Sequence, residues 1–441
     1  MNNSHLITNA RIVNEGRSVE GDLLLIDGRI AGINRPAPAG TPTYDANGCY
    51  LLPGMIDDQV HFREPGYEHK ANIATESLAA VAGGVTSYME MPNCNPLTVT
   101  HDALADKHVR AADRSAANYA FYFGATNDNL EAIKTVNPLL ACGVKVFMGA
   151  STGNMLVDDE NTLNGIFANC PLIIATHCED TPTIIANERA AAEKYGEAIP
   201  FSEHPKIRSV DACYKSSSLA VSLAKRHGSR LHVLHLTTAK ELALFTAGDL
   251  ADKSITVEAC VHHLFFNDAW YATKGADIKC NPAIKSTQDQ EALLAAVNND
   301  LIDVIATDHA PHTIEEKAEP YARAPAGLPL VQHALLCLLE HVDKGVFSIE
   351  KVVEKTAHAP ARLFGVKDRG YIREGYYADL VIIDPTQSAD PDEIHSKCGW
   401  SPFSGIELHN RVRATWVNGH MRYRDGAFLP GPMGMALEYD R

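Results

Sequence analysis

LLPGMIDDQVHF (residues 51–62) is the first of eight apolar runs that decide the fold of this 441-residue chain. The other seven are VTSYMEMPN (85–93), NYAFYFGAT (118–126), GVKVFMGAS (143–151), LIIATHCED (172–180), LHVLHLTTA (231–239), ITVEACVHH (255–263) and DVIATDHAP (303–311). Helix-like segments separate them, as is typical of parallel strands covered on both faces. Eight such units predict an α/β fold, a (β/α)₈ TIM-like barrel. A doubly wound open sheet is the alternative, but no Gly-rich dinucleotide loop follows the first run.

The two ends of the chain differ from this middle. Four runs there alternate apolar and polar residues: LITNARIV (6–13), GDLLLIDGRIAGI (21–33), ADLVIIDP (378–385) and VRATWVNGHMRY (412–423). Alternation of this kind, with tight turns such as Asn418-Gly419, is typical of antiparallel strands. We therefore predict a small β-sandwich domain formed from both termini. The expected segments are 1–53 and 365–441 for the sandwich and 54–364 for the barrel.

Composition excludes several classes of protein. Of the residues 45% are hydrophobic and 21% charged, and the formal net charge is −16. An acidic chain without a Lys/Arg-rich run argues against nucleic-acid and polybasic membrane partners. Ten scattered cysteines without a CxxC pair are typical of reduced, buried thiols. Because we find neither a signal peptide nor an apolar run of roughly 18 residues, we expect a cytoplasmic protein that binds a small-molecule substrate.

Polar side chains crowd the carboxyl ends of the predicted barrel strands. His61, His177, His235 and Asp308 lie at equivalent ends of four strands, which is where barrel enzymes place catalytic groups. Neutral imidazoles with a carboxylate suit zinc. Bound zinc lowers the pKa of a water to about 7 and polarises a carbonyl. The sequence predicts metal-assisted hydrolysis, or its reverse, at an amide-like carbon, with Asp308 moving the proton.

Two other residues raise separate questions. Lys145 lies between valines in GVKVFMG (143–149), where a buried ammonium is costly. We expect that it either reaches solvent or a carboxylate, or is converted or neutralised at the metal site. His232 lies three residues before His235, so the period-two rule of a strand predicts that it points away from the side of His235, as a packed or helix-facing histidine.

The chain resembles the amidohydrolase superfamily and, within it, the class I dihydroorotases, over essentially its whole length. The resemblance is carried by PGMIDDQVHFREPG (53–66), AGGVTSYMEMPNCNP (82–96), GVKVFMG (143–149), THCED (176–180), HVLHLTTA (232–239), VEACVHHLFF (257–266), KCNPAIK (279–285), IATDHAPH (305–312), APAGLPLVQ (324–332) and GYYADLVIID (375–384). It implies reversible cyclisation of N-carbamoyl-L-aspartate to L-dihydroorotate with loss of water, a step of pyrimidine synthesis. It also implies a homo-oligomer and leaves open an association with aspartate transcarbamoylase.

The resemblance also implies roles for particular residues. One or two zinc ions per subunit are expected, with a carbamylated Lys145 as the bridging ligand. His177 and His235 would hold the second metal, and His61 and Asp308 the first. The substrate-binding set would be Arg63 and Asn93 at the substrate carboxylate, Asn281 at the ring, and His312, Ala326 and Gly327 in a closing loop.

Gln59 departs from the family pattern, which has a histidine there. A glutamine is a weak zinc ligand, so the first metal position is expected to be weaker, differently coordinated or empty. Ala326 stands where the family often has an aromatic residue, and we expect this difference to loosen the closing loop. Two alternatives stay open: another cyclic amidohydrolase, such as a hydantoinase or allantoinase, and a non-catalytic dihydroorotase-like subunit. The polar segment 309–327 is predicted to be a mobile active-site loop.

Overall fold

A computed structural model of the protein describes residues 4–149, 155–390 and 392–441. The strands, in chain order, are β1 (Ser4–Asn14), β2 (Arg17–Ile26), β3 (Arg29–Ile33), β4 (Thr43–Asp45), β5 (Tyr50–Pro53), β6 (Met55–Val60), β7 (Val85–Glu90), β8 (Asn118–Gly124), β9 (Ala141–Phe147), β10 (Ile174–His177), β11 (Leu231–Val233), β12 (Ile255–Cys260), β13 (Val304–Ala306), β14 (Leu380–Asp384), β15 (Arg411–Val417), β16 (His420–Arg424) and β17 (Ala427–Phe428).

The α-helices are α1 (Ile73–Ala82), α2 (His101–Ala112), α3 (Leu130–Lys134), α4 (Glu160–Asn169), α5 (Thr181–Tyr195), α6 (His204–Ile207), α7 (Val210–His227), α8 (Val261–Phe265), α9 (Tyr271–Lys274), α10 (Thr287–Asn298), α11 (Ile314–Lys317), α12 (Ala334–Asp343), α13 (Ile349–Val353) and α14 (Ala359–Phe364). Side-chain caps start many of them. Ser209, for example, accepts a hydrogen bond from Ala212 N at the start of α7, and such a cap satisfies a donor that the helix leaves free. No described helix is long and apolar enough to cross a membrane.

Strands β6 to β13 form one parallel sheet in chain order, and the two edges meet through a bridge between Val60 and His309. This closes the predicted barrel, and each of the eight apolar runs supplies one strand. The strands end before the runs do, and several polar residues of the runs lie just beyond the last strand residue. His235 and Asp308, for instance, have left-handed φ values of 40° and 52°. Residues 150 and 151 of the fourth run lie outside the described residues.

The two ends of the chain meet in a second, mainly antiparallel sheet of nine strands, in which β5 pairs with β14. This confirms the predicted composite β domain. Its strands form a single hydrogen-bonded sheet around an apolar core that includes Leu51, Leu380 and Trp416. The sheet is tied to the barrel where Asn118, at the start of β8, donates to the Asp379 carboxylate.

His232 is fully buried, as expected of a packed histidine, but it does not face the helices, which was the other placement that the sequence allowed. His232 Nε2 lies 3.2 Å from Asp58 Oδ2, and their strands, β11 and β6, are not neighbours in the sheet. His232 therefore faces the barrel interior, not the helices. The period-two rule fails here because β11 ends at Val233 and His235 lies beyond the strand. His262 and His263, at the end of the seventh apolar run, belong to the short helix α8 and not to β12.

Candidate active site

The carboxyl ends of the barrel strands surround a cavity of about 210 Å³. All eleven residues singled out from the sequence line it: His61, Arg63, Asn93, Lys145, His177, His235, Asn281, Asp308, His312, Ala326 and Gly327. Gln59, Phe147, Ala310 and Pro325 complete the lining. The barrel thus brings together residues that are up to 266 positions apart in the sequence, from His61 to Gly327.

His177 and His235 form one side of this site. His177 Nδ1 lies 3.0 Å from His235 Nε2, and both rings are buried. Burial, reinforced by His177, lowers the pKa of His235 well below its ordinary value, so its imidazole is neutral near pH 7. Two nitrogens at this separation suit a shared ion, because zinc–nitrogen bonds of about 2.0–2.1 Å hold ligand atoms roughly 3.3 Å apart.

Glu179 contacts the ring nitrogen of His177 that points away from His235. Its Oε2 accepts from His177 Nε2 at 3.0 Å and from Arg208 at 2.5 Å. Burial alone would raise the pKa of Glu179, but Arg208 and His177 outweigh burial and lower it to about 2. A carboxylate on the outer nitrogen of a ligating histidine fixes the ring and raises its basicity. Sequence reasoning missed Glu179, although it stands two residues after His177 in THCED.

His61 and Asp308 form the other side, with His61 Nε2 3.0 Å from Asp308 Oδ1. His61 Nδ1 donates to Asn93 Oδ1 at 2.7 Å. Burial lowers the pKa of His61, which favours the neutral ring with its lone pair on Nε2. A lone pair that faces a carboxylate oxygen is stabilised by a proton or a metal ion between them, so this side also suits a metal. Asn93 thus contacts His61, a contact that the sequence did not predict.

Gln59 takes no ligand position here. Its Nε2 donates to Asp308 Oδ1 at 3.0 Å, and its Oε1 lies 3.9 Å from the Cys260 thiol. The amide therefore turns its donor toward the site and its oxygen away from it. This side offers one histidine and one carboxylate where the other side offers two histidines.

Lys145 lies between the two sides, in the middle of β9. Burial lowers the pKa of its ammonium to about 8, and Nζ lies 4.6 Å from the centre of the Phe147 ring. Within the described part of the chain, no carboxylate pairs with this ammonium. A neutral amine is the form that reacts with carbon dioxide, and the carbamate would add an anionic ligand among the histidines.

Cationic groups surround the far end of the cavity. Arg63 donates from Nε to Pro311 O at 3.0 Å, and its Nη2 lies 3.0 Å from His312. Lys70 Nζ lies 3.0 Å from the other ring nitrogen of His312. Burial lowers the pKa of Arg63 to about 10. Lys70 is paired with Glu316, but Arg63 has no carboxylate partner among the described residues, which leaves its charge directed at the cavity.

The segment predicted to be a mobile loop is fastened by buried lysines. Lys317, at the end of α11, donates to the backbone oxygens of Lys279, Pro325 and Gly327 at 3.1–3.2 Å. Lys279 Nζ in turn donates to the oxygens of Tyr321 and Ala324, both at 2.6 Å. These bonds hold the Ala326-Gly327 backbone against the cavity.

Comparison with known proteins agrees with this geometry. The pattern of the amidohydrolase family matches residues 50–422, so the chain belongs to that family, whose members generally use a divalent metal. A dihydroorotase of Halobacterium salinarum is 36% identical over 398 residues, covering 87% of this chain and 91% of that protein. An allantoinase of Bacillus velezensis is 32% identical over 435 residues, covering 96% and 94%.

Among solved structures, L-hydantoinase from Arthrobacter aurescens superposes with a TM-score of 0.93 at 27% identity, covering 98% of this chain and 99% of that one. The shared chemistry of these relatives is that of cyclic amidohydrolases. The chain is therefore a cyclic amidohydrolase, similar to dihydroorotases within the superfamily.

Proposed function

We propose that this protein is a dihydroorotase, which interconverts N-carbamoyl-L-aspartate and L-dihydroorotate. The observation that carries the proposal is Arg63, a guanidinium at the cavity with no carboxylate partner among the described residues. A charge held away from water is costly unless it is paired. Dihydroorotate carries a ring carboxylate that would supply the pair, whereas hydantoin and allantoin carry none.

Other lining residues suit the rest of this substrate. Asn281 Oδ1 is buried without a hydrogen-bond partner in the described structure, so it is free to accept from a ring N–H. Asp308 Oδ1 lies at the His61 side of the cavity, where it can take the proton of the attacking water and return it to the leaving nitrogen.

The proposal extends to zinc as the metal and to a carbamylated Lys145 as a ligand of both sides. Bound zinc would polarise the carbonyl and acidify the water. Carbamylation would replace the buried ammonium of Lys145 by an anion. A homo-oligomer, an association with aspartate transcarbamoylase and a cytoplasmic location stay predictions from the resemblance.

A matched pair of substrates tests the function. Dihydrouracil is the same ring as dihydroorotate without the carboxylate. We expect zinc-loaded protein, purified with bicarbonate, to open dihydroorotate and to act far more slowly on dihydrouracil, hydantoin and allantoin. Equal or faster turnover of the substrates without a carboxylate would refute the assignment and favour a hydantoinase or allantoinase.

Arg63→Met should then lower kcat/KM for dihydroorotate about 10- to 100-fold, since a hydrogen bond to a charged group contributes about 1.5–3 kcal/mol. Its effect on dihydrouracil and on metal content should be small. Lys70→Met is the control, because Lys70 lies beside the same histidine but already pairs with Glu316. An equal loss of kcat/KM in both variants would mean that the overall positive charge near the cavity, and not a specific contact with Arg63, attracts the substrate.

A further inference from the structure

Three titratable side chains meet inside the barrel, on the amino-terminal side of the candidate active site. They are Asp58 on β6, His232 on β11 and Glu258 on β12, and all three are fully buried. His232 Nε2 lies 3.2 Å from Asp58 Oδ2 and 3.8 Å from Glu258 Oε2. One ligand atom from each residue lies within 4.8 Å of the others.

The tautomer of His232 follows from its second nitrogen. Nδ1 lies 2.8 Å from Thr256 Oγ1, and that hydroxyl donates its own proton to Leu231 O at 3.2 Å. Nδ1 must therefore be the donor to Thr256, which leaves the lone pair of a neutral ring on Nε2. This lone pair faces two carboxylates.

The facing atoms have no hydrogen-bond partners in the described structure. They are both oxygens of Asp58, Oε2 of Glu258 and Nε2 of His232. His232 is also the one basic side chain within ion-pair distance of either carboxylate among the described residues. Two buried carboxylates carry more negative charge than the single imidazole of His232, neutral or protonated, can balance, and such charges are normally paired or coordinate a metal.

We infer that Asp58, His232 and Glu258 bind a divalent metal ion such as zinc, at a site separate from the active-site cavity. The separations fit, because zinc bonds of about 2.0–2.2 Å place neighbouring ligand atoms roughly 3.3 Å apart. The hydrogen bond from Nδ1 to Thr256 is the outer-shell contact that ligating histidines make.

Such an ion would connect strands that are not neighbours, β6 and β11, across the barrel interior. It would also reach the active site through Glu258, whose Oε1 accepts from the backbone N of His235 at 2.9 Å. The ion would hold Glu258 in place and so support the left-handed backbone of His235. This role is structural, and it does not depend on which substrate the enzyme takes.

The competing occupant is a proton. Burial lowers the pKa of His232, but Asp58 and Glu258 outweigh burial and raise it to about 9. The same negative surroundings that hold a proton on Nε2 attract a metal ion. A metal-free chain would therefore carry a cationic His232 at this place.

Anomalous diffraction from crystals of the zinc-loaded full-length protein, recorded above and below the zinc edge, decides between them. We expect a zinc peak within bonding distance of Asp58, His232 and Glu258, apart from any peak at His177 and His235. An anomalous map that shows zinc at the active site but none among these three residues would overturn the proposal. The map concerns the wild-type protein, so it decides even where a variant fails to fold.

Metal analysis of Asp58→Asn gives the second measurement. This variant should lose one equivalent of zinc relative to wild type, measured by inductively coupled plasma mass spectrometry. Tyr122→Phe is the control, because the Tyr122 hydroxyl donates to the backbone oxygen of Asp58 at 3.0 Å and is no ligand. It should keep the wild-type zinc content. Full zinc retention in a folded Asp58→Asn protein would contradict the proposal.

Discussion

The two sides of the candidate metal centre are built unequally. His177 and His235 face each other, and Glu179 fixes the outer nitrogen of His177 while Arg208 fixes Glu179. On the other side His61 faces Asp308, whose carboxylate also accepts from Gln59. The His177 side thus presents two imidazoles. The His61 side presents one imidazole and one carboxylate, and Oδ1 of that carboxylate also accepts a hydrogen bond from Gln59.

This difference shows that a substitution at one position changes more than the number of ligands. A histidine at position 59 would offer a lone pair, but Gln59 offers a donor, and Asp308 accepts it. The Cys260 thiol, 3.9 Å from Gln59 Oε1, lies on the opposite side of the amide. We therefore expect the His177 side to bind metal more tightly than the His61 side.

The largest loss of metal and activity is expected from a change on the His177 side. His177→Ala removes one of two facing imidazoles, and we expect it to lose both the tightly held metal and essentially all turnover. His61→Ala should keep the tightly held metal, because the proposed ligands of that metal are His177, His235 and Lys145. Zinc content after mild chelation, together with the rate of dihydroorotate hydrolysis, measures the contrast.

His101→Ala is the matched histidine control, since His101 is exposed at the start of α2. It should change neither zinc content nor rate. The comparison would fail if His61→Ala lost the chelator-resistant metal while His177→Ala kept it, because the roles of the two sides would then be reversed.

The sequence predicts the fold well because each barrel strand lies in a mainly apolar run and is buried along nearly its whole length, as a parallel strand covered on both faces is. It predicts the cavity residues at the strand ends for a similar reason, since the carboxyl ends of the barrel strands point to one face, whereas Asn281, Ala326 and Gly327 were expected only from the family resemblance. Both predictions depend on local sequence and on a repeated geometry. Neither prediction depends on the residue at which a particular strand ends or on how the chain turns there.

The features that the sequence did not reveal depend on tertiary contacts. His232 faces inward because the chain leaves β11 before His235, and no residue type marks that turn. Gln59 presents its nitrogen to Asp308, a residue 249 positions away. Glu179 is held by Arg208, which comes from a segment beyond α5. Such pairings follow from packing, which periodicity does not encode.

A substitution at position 59 should remove the difference in metal affinity between the two sides. Gln59→His should tighten the metal on the His61 side about 100-fold, at the upper end of what single changes around a metal achieve. The reason is that an imidazole replaces an amide donor and frees Asp308 Oδ1 from a hydrogen bond. Competition with a chromogenic zinc chelator measures both affinities. Gln59→Leu is the control, because it frees Asp308 without adding a ligand, and equal gains in both variants would show that the added imidazole does not bind.

The smallest predicted change in metal affinity concerns Glu179, which accepts a hydrogen bond from His177. Glu179→Gln keeps an oxygen that can accept from His177 but removes the negative charge that Arg208 stabilises. The His177 ring stays oriented and becomes less basic, so its metal should bind about tenfold more weakly, as outer-shell changes do. Asp180→Asn is the matched control. It alters the neighbouring carboxylate, which caps α5 and contacts Lys215 instead of the site. If the two variants bound zinc equally well, orientation and not charge would explain why the His177 side is the stronger one.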